Sequence, residues 1–305
     1  MRVTMQNLYT NNVHSMQNTT AAVARLNQML STGMSILRPS DDPIGTVRVM
    51  ASQRDLASVE QYVKNIDSLS TSMDRAETYL SGMVDLQQRM RELSVATNNS
   101  SLSEEDRAAY ALEMEELLKS MVDMVNAKDD VGNSLFSGNS VDKVTVGTDA
   151  AGRYVYQGDS KQREVQTSAS SWMTANVTAE AFLFSNASQD LLNQTLDYVA
   201  VLKDPSLAPG DPAFQAVSVD MQTALNDTLD SINSAITEMG GKQNSLSLAK
   251  GSHEEMVLFN KQVIGETQEL DYAKATAEFN VKLTSLKVTQ QTFVQISQLT
   301  LFNNL

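Results

Sequence analysis

Cysteine is absent from the 305 residues, so neither a disulfide framework nor a thiolate metal site is available. Proline occurs only five times and aromatic residues make up 6% of the chain. That composition favours helix with a small β component. No apolar run approaches the roughly 20 residues that cross a bilayer. The opening stretch, residues 1–9, lacks the apolar core of a secretory signal. Composition by itself therefore points to the cytoplasm and gives no membrane contact. Acidic residues are missing from both ends. Residues 1–40 hold Arg2, Arg25 and Arg38, residues 279–305 hold Lys282 and Lys287, and neither segment has an Asp or Glu. The ends carry +5 and the whole chain −14, which leaves −19 on residues 41–278. A net negative charge argues against nucleic acid as a partner. Acid-free helical ends suit burial among many copies, because a buried unpaired charge is costly.

Catalytic chemistry is equally scarce. The chain has no phosphate loop, no HExxH, no EF-hand spacing and no nucleophile elbow. The two histidines, His14 and His253, are expected to be ordinary surface or interface residues. The pairs Asp41-Asp42 and Asp129-Asp130 fall beside or near Pro or Gly, where caps and turns use carboxylates. No catalytic, metal or cofactor residue is expected, and the protein is not expected to be an enzyme.

What is present is apolar spacing of four and three. Met5, Tyr9, Asn12, Met16, Thr19, Val23, Leu26, Leu30, Gly33 and Leu37 form a first, partly polar seam, closed by Pro39 and Pro43. Asp42 before Pro43 predicts a helix start. The cleanest seam follows: Val59, Tyr62, Ile66, Leu69, Met73, Ala76, Leu80, Met83, Gln87 and Met90 predict a helix over about 43–97. Ser101 with Glu104 predicts a capping box. A third seam, Tyr110, Met114, Leu117, Met121, Met124, Lys128, Val131 and Leu135, predicts an antiparallel neighbour. Residues 138–186 alternate and turn, which predicts an insert of three to five strands. Helix returns from about 187, breaks in the Pro/Gly-rich stretch 204–212, and resumes with Phe214, Met221, Leu225, Ile232, Met239, Leu246 and Met256 on one face. The last helix, about 265–303, carries Phe279, Leu283, Leu286, Gln290, Phe293, Ser297 and Thr300. Val281, Val288, Ile296 and Leu299 are expected to widen that stripe.

The order of a helical end, a rod, a β insert, a returning rod and a helical end resembles the flagellin superfamily. Three stretches carry the resemblance. Ser31-Thr32-Gly33 with Leu37-Arg38-Pro39-Ser40-Asp41-Asp42-Pro43-Ile44-Gly45 is similar to the N-terminal signature. Met239-Gly240-Gly241-Lys242-Gln243-Asn244 is similar to the motif of the returning rod helix, although Lys242–Ser245 departs from the family's usual Asn-Arg continuation. Leu270-Asp271-Tyr272-Ala273 and the acid-poor helix after it are similar to the C-terminal segment. The opening Met1–Met5, the Arg38–Pro43 form of the signature, Ser134–Gly138 and the ending Leu299–Phe302 favour the hook–filament junction branch over filament flagellin.

The resemblance implies a mainly α fold: a long antiparallel helical rod (a flagellin-like bundle), terminal coiled-coil helices and a small β-rich insert domain. The expected domains are a terminal coil of 1–42 and 264–305, disordered in the monomer, a rod of 43–137 and 187–263, and an outer domain of 138–186. It further implies an extracellular flagellar subunit exported through the type III apparatus without a cleaved signal, in place of the cytoplasmic expectation. Implied partners are copies of itself in a ring, the first hook-associated protein proximally, flagellin distally and an export chaperone. The expected assembly interface is Val23, Leu26, Leu30, Leu37, Leu283, Leu286, Phe293, Ile296, Leu299 and Phe302. Arg38, Pro39, Ser40, Asp41, Asp42, Pro43 and Gly45 are the expected hinge, and Gly240, Gly241, Gln243 and Asn244 the rod-helix motif. Filament flagellin itself and a secreted helical tip or adhesin protein are the alternatives.

Overall fold

The computed structural model describes residues 2–99, 102–185 and 190–302, with side chains described over 7–99, 102–185 and 190–295. Among the described residues the elements run α1 (Arg2–Thr32), α2 (Pro43–Thr97), α3 (Glu104–Val125), β1 (Val146–Thr148), β2 (Tyr154–Tyr156), β3 (Glu164–Gln166), β4 (Trp172–Thr174), α4 (Ala179–Leu183), α5 (Leu191–Lys203), α6 (Pro212–Gln268) and α7 (Tyr272–Phe302). This is the expected mainly α architecture with a small β region. Contacts divide the chain into two compact units, residues 1–59 with 255–305, and residues 60–254. The division also sorts charge. The second unit holds 29 acidic and 14 basic residues, a net −15, while the first holds eight and nine, a net +1.

In the unit of residues 60–254, α2 and α6 run antiparallel. Asp67 meets Lys250, Asp74 meets Gln243 and Arg91 meets Asn226, so rising numbers on one helix match falling numbers on the other. The α2 seam is buried as its spacing predicts: Ile66, Leu69, Met73, Leu80, Met83 and Met90 are at most 3% exposed, and on α6 so are Phe214, Met221, Leu225, Ile232, Met239 and Leu246. Each such side chain taken from water contributes about 1.5–3 kcal/mol. α3 packs against α2 in the opposite sense, with Arg89 on Glu113 and Met124 over Gly82.

Two local expectations change. Ser101 lies outside the described residues; the capping box is formed instead by Ser103, whose Oγ accepts from the Asp106 N–H at 3.1 Å while the Asp106 carboxylate accepts from the Ser103 N–H. α3 also stops at Val125, so Lys128, Val131 and Leu135 are not on its seam. The Asn126 side chain there turns to the Val146 backbone, and the Asp129 carboxylate accepts from the Val131 and Asn133 N–H groups around Gly132 at φ +92. These side chains offer the backbone bonds that compete with the helix ladder.

The β insert is two antiparallel two-stranded sheets, β1 with β2 and β3 with β4. It does not separate as its own compact unit but belongs with residues 60–254. Asparagines hold the first sheet: Asn126 exchanges bonds with Val146, and Asn193 with Tyr154. The second sheet lies on the rod, where Asn65 donates to the Gln166 carbonyl and His253 Nε2 meets the Thr167 carbonyl, each at 2.8 Å. Val165, Met173 and Ala175 pack on Ile66, Leu69, Met73 and Leu246.

In the other unit α1 and α7 pack as an antiparallel pair. Tyr9 and Phe293 stack with ring centroids 5.2 Å apart, and at the opposite end Met34 bridges to Glu269. Met256, expected in the core, is 41% exposed in this unit.

Candidate assembly surfaces

The paired ends are built from their own 4-3 seams. On α1, Asn12, Met16, Thr19, Val23 and Leu30 are half-buried and Leu26 is buried, and Gly33 and Leu37, beyond the helix, are half-buried. On α7, Ala275 is buried and Phe279, Leu283, Leu286, Thr289 and Phe293 are half-buried. Val23, Leu26, Leu30, Leu283, Leu286 and Phe293, expected to face other copies, thus lie on the covered faces of the chain's own end pair. The side chains of Ile296, Leu299 and Phe302 lie outside the described residues. The seam passes through Thr289 rather than Gln290, which is exposed. Val281 and Val288, expected beside the seam, are 67% and 54% exposed. At 100° per residue they sit about 200° from Leu283 and Leu286, on the far side of the helix. That uncharged outward strip, continued by Thr284, Ser285, Gln291, Thr292 and Gln295, is the surface the periodicity count missed.

The signature between α1 and α2 is a hydrogen-bonded clasp. Gly33 leaves α1 at φ +71, a left-handed position that favours glycine. Its carbonyl accepts from the Leu270 N–H at 2.9 Å, and the Ser35 N–H donates to the Gln268 carbonyl at 2.8 Å. The two chain crossings, after α1 and before α7, are therefore tied to each other. Asp41 is half-buried; its carboxylate accepts from the Leu37 and Arg38 N–H groups and pairs with Arg25 at 3.1 Å. Asp42 accepts from the Gly45 N–H at 2.9 Å and so caps α2, with Pro43 first in the helix. Gly45 is buried, and a Cβ there would stand 2.4 Å from Asp42 Oδ2 and 2.9 Å from Ile36 Cδ1. Arg38, Pro39 and Ser40 are exposed. Asp271 repeats the device on α7, accepting from the Lys274 N–H at 3.0 Å.

The rod-helix motif lies far along α6. Gln243 donates to Asp74 at 2.6 Å, while Gly240, Gly241 and Asn244 are exposed. A Cβ added at either glycine would meet nothing within 4 Å, so packing within the described chain does not require them.

Elsewhere, carboxylates serve local structure. Asp159 is held below the usual range by the Asn139 N–H, with Ser140 and Lys161 adding to it. Burial alone would raise Asp129, but bonds from Asn133, Val131 and Gly132 outweigh it and lower its pKa. The Tyr156 hydroxyl is pushed up by burial and the nearby Glu180 and Asp159 charges, while it donates to the Asp159 carbonyl. Among the described residues no group of three His, Asp or Glu could hold a metal ion, and no helix is long and apolar enough to cross a membrane.

Comparison with known proteins gives the same picture. Residues 3–141 match the bacterial flagellin N-terminal helical region. The flagellar hook-associated protein 3 of Escherichia coli K12 is 24% identical over 99% of both chains. A solved flagellar hook-associated protein of Vibrio parahaemolyticus is 31% identical, with a TM-score of 0.70 over 75% of this chain and all of that one. The hook-associated protein 3 structure of Legionella pneumophila, 16% identical with a TM-score of 0.62 over 72% of this chain and 98% of that one, shares the fold. The chain belongs to the flagellin superfamily, and within it is similar to hook-associated protein 3.

Proposed function

We propose that this chain is an extracellular structural subunit of the bacterial flagellum that forms the hook–filament junction, a ring on which flagellin polymerises. The observation that carries this is the match to hook-associated protein 3 over essentially the whole of both chains. The paired, acid-free ends and the acidic rod fit the same reading: the first suit burial in a tube wall, the second an outer face in water.

The subunit is exported through the flagellar type III apparatus, with a chaperone as its partner before export. It then stacks on the first hook-associated protein proximally and receives flagellin distally. The terminal pair lines the inner tube and orders on assembly, when apolar burial offsets the entropy of fixing the chain. Its polar seam members, Asn12, Thr19 and Thr289, support this by limiting the pair's autonomous stability. Residues 38–45 act as the hinge, and residues 138–186 serve as the outer domain of the assembled subunit. The protein has no catalytic role.

Deletion of the gene followed by electron microscopy tests the junction role. Hooks without filaments, and flagellin shed into the medium, are expected; filaments that persist would refute it. Amide exchange on dilute monomer tests the coupled ordering, which strong protection of both ends would refute.

A further inference from the structure

A cleft of about 410 Å³ opens in the unit of residues 60–254, between α2, the Asp129–Leu135 loop and the β3–β4 hairpin. Two arginines line it. Arg75 is paired with Asp130 at 2.6 Å. Arg163 is not paired: its main chain is fixed by Asn176 and Ala175, but its buried Nε has no partner among the described residues. That nitrogen is closed to solvent, but Arg163 lines the cleft and forms no ion pair among the described residues, and a guanidinium is the side chain best matched to a carboxylate. The cleft's own acids cannot serve. Asp129 is committed to its loop and Asp130 to Arg75.

Across the segment that follows β4, the opposite polarity is found. Ala175 lines the arginine cleft, whereas Val177, Ala181 and Phe182 line a second hollow on the α6 side, about 480 Å³, edged by Asp227, Asp230 and Glu238. Glu238 is paired with Lys242, but Asp230 is exposed and forms no ion pair among the described residues. One copy thus presents an arginine short of an acceptor on its α2 side and a free carboxylate on its α6 side. Such unlike, complementary faces make a head-to-tail contact, the kind that closes into rings. Units of net −15 repel one another, so contact between neighbours needs a cation placed to receive an acid.

We propose that the Arg163 cleft is a socket for the Asp230 carboxylate of the neighbouring copy. This rests on the ring reading above, and deepens it by naming the contact between rods. The test is charge reversal in cells lacking the chromosomal gene, each carrying one full-length version. Arg163→Asp and Asp230→Arg are each expected to raise the shed fraction of flagellin roughly tenfold, and the double variant to restore retention. Melting of the purified proteins separates this from misfolding. Asp230 is exposed, so Asp230→Arg should fold normally even if Arg163→Asp does not. Wild-type retention by Asp230→Arg, or a folded double variant that still sheds flagellin, would overturn the proposal. So would saturable binding of inorganic phosphate to monomeric wild type with normal retention by Arg163→Asp, which would assign the cleft to a free anion. Filaments surviving outright gene deletion would instead remove the junction reading.

Discussion

Replacing Gly240 and Gly241 by alanine should make this protein more stable. Both lie inside α6, are exposed, and have neither a positive φ nor any atom within 4 Å of an added Cβ. Nothing in the described chain therefore opposes the methyl group. Glycine in a helix interior costs about 0.5–1 kcal/mol relative to alanine, because it loses more conformational freedom on folding. The double variant should gain about 1–2 kcal/mol. For a cooperative unit of this size, each kcal/mol moves the midpoint by about 2–4 °C, so a rise of roughly 2–8 °C is expected. Thermal melts followed by circular dichroism, on wild type, both single variants and the double, measure it. An unchanged or lowered midpoint would refute the reasoning, since it would mean that this face of α6 is covered within the monomer. The same variants in cells give a second reading. Shedding of flagellin by a stabilised subunit would show that another copy approaches the bare backbone there.

Four further outcomes follow from particular contacts. Ser103→Ala removes the α3 cap and should cost about 1 kcal/mol in urea unfolding, with no loss of secretion. Tyr198→Phe leaves buried Thr97 Oγ1 without its 2.6 Å partner and should cost about 1–2 kcal/mol; an unchanged midpoint would show that the Leu93 carbonyl satisfies Thr97 alone. Leu26→Asp and Leu286→Asp put a charge into the end-pair seam, and should abolish filament retention while the melt of residues 60–254 stays the same. Asp129 and Asp159 both have pKa values lowered from 3.8, so the unfolded chain binds protons first. Their stabilisation is complete above about pH 5 and is lost as pH falls through the lowered values; Asp129→Asn should flatten the slope of midpoint against pH below 4.

Much of this was legible locally. The α2 seam is a run of side chains whose spacing alone defines one face, and that face is the buried one. Asp42-Pro43 starts α2 because a carboxylate cap and a preset φ act within a few residues. The β insert lies where helical periodicity gives way to alternation and turns. The departures are equally instructive. The end of α3 was hidden because Asn126 and Asp129 complete their bonds with loop and strand backbone that no helical count includes. Val281 and Val288 belong beside the stripe only on apolar character; their spacing already puts them about 200° from it, on the exposed side.

The sequence by itself determined the helices, their caps, the acid-free ends and the family, because these depend on residue type and short spacing. Only the tertiary structure decided which faces remain free. It joined Gly33 to Leu270 across the chain, spent the terminal stripes on each other, laid the β3–β4 hairpin on α2 and α6, and left Arg163 without an ion pair among the described residues. Those outcomes depend on contacts between residues far apart in sequence, and a side chain's own chemistry states what it can bond but not what the fold brings to it.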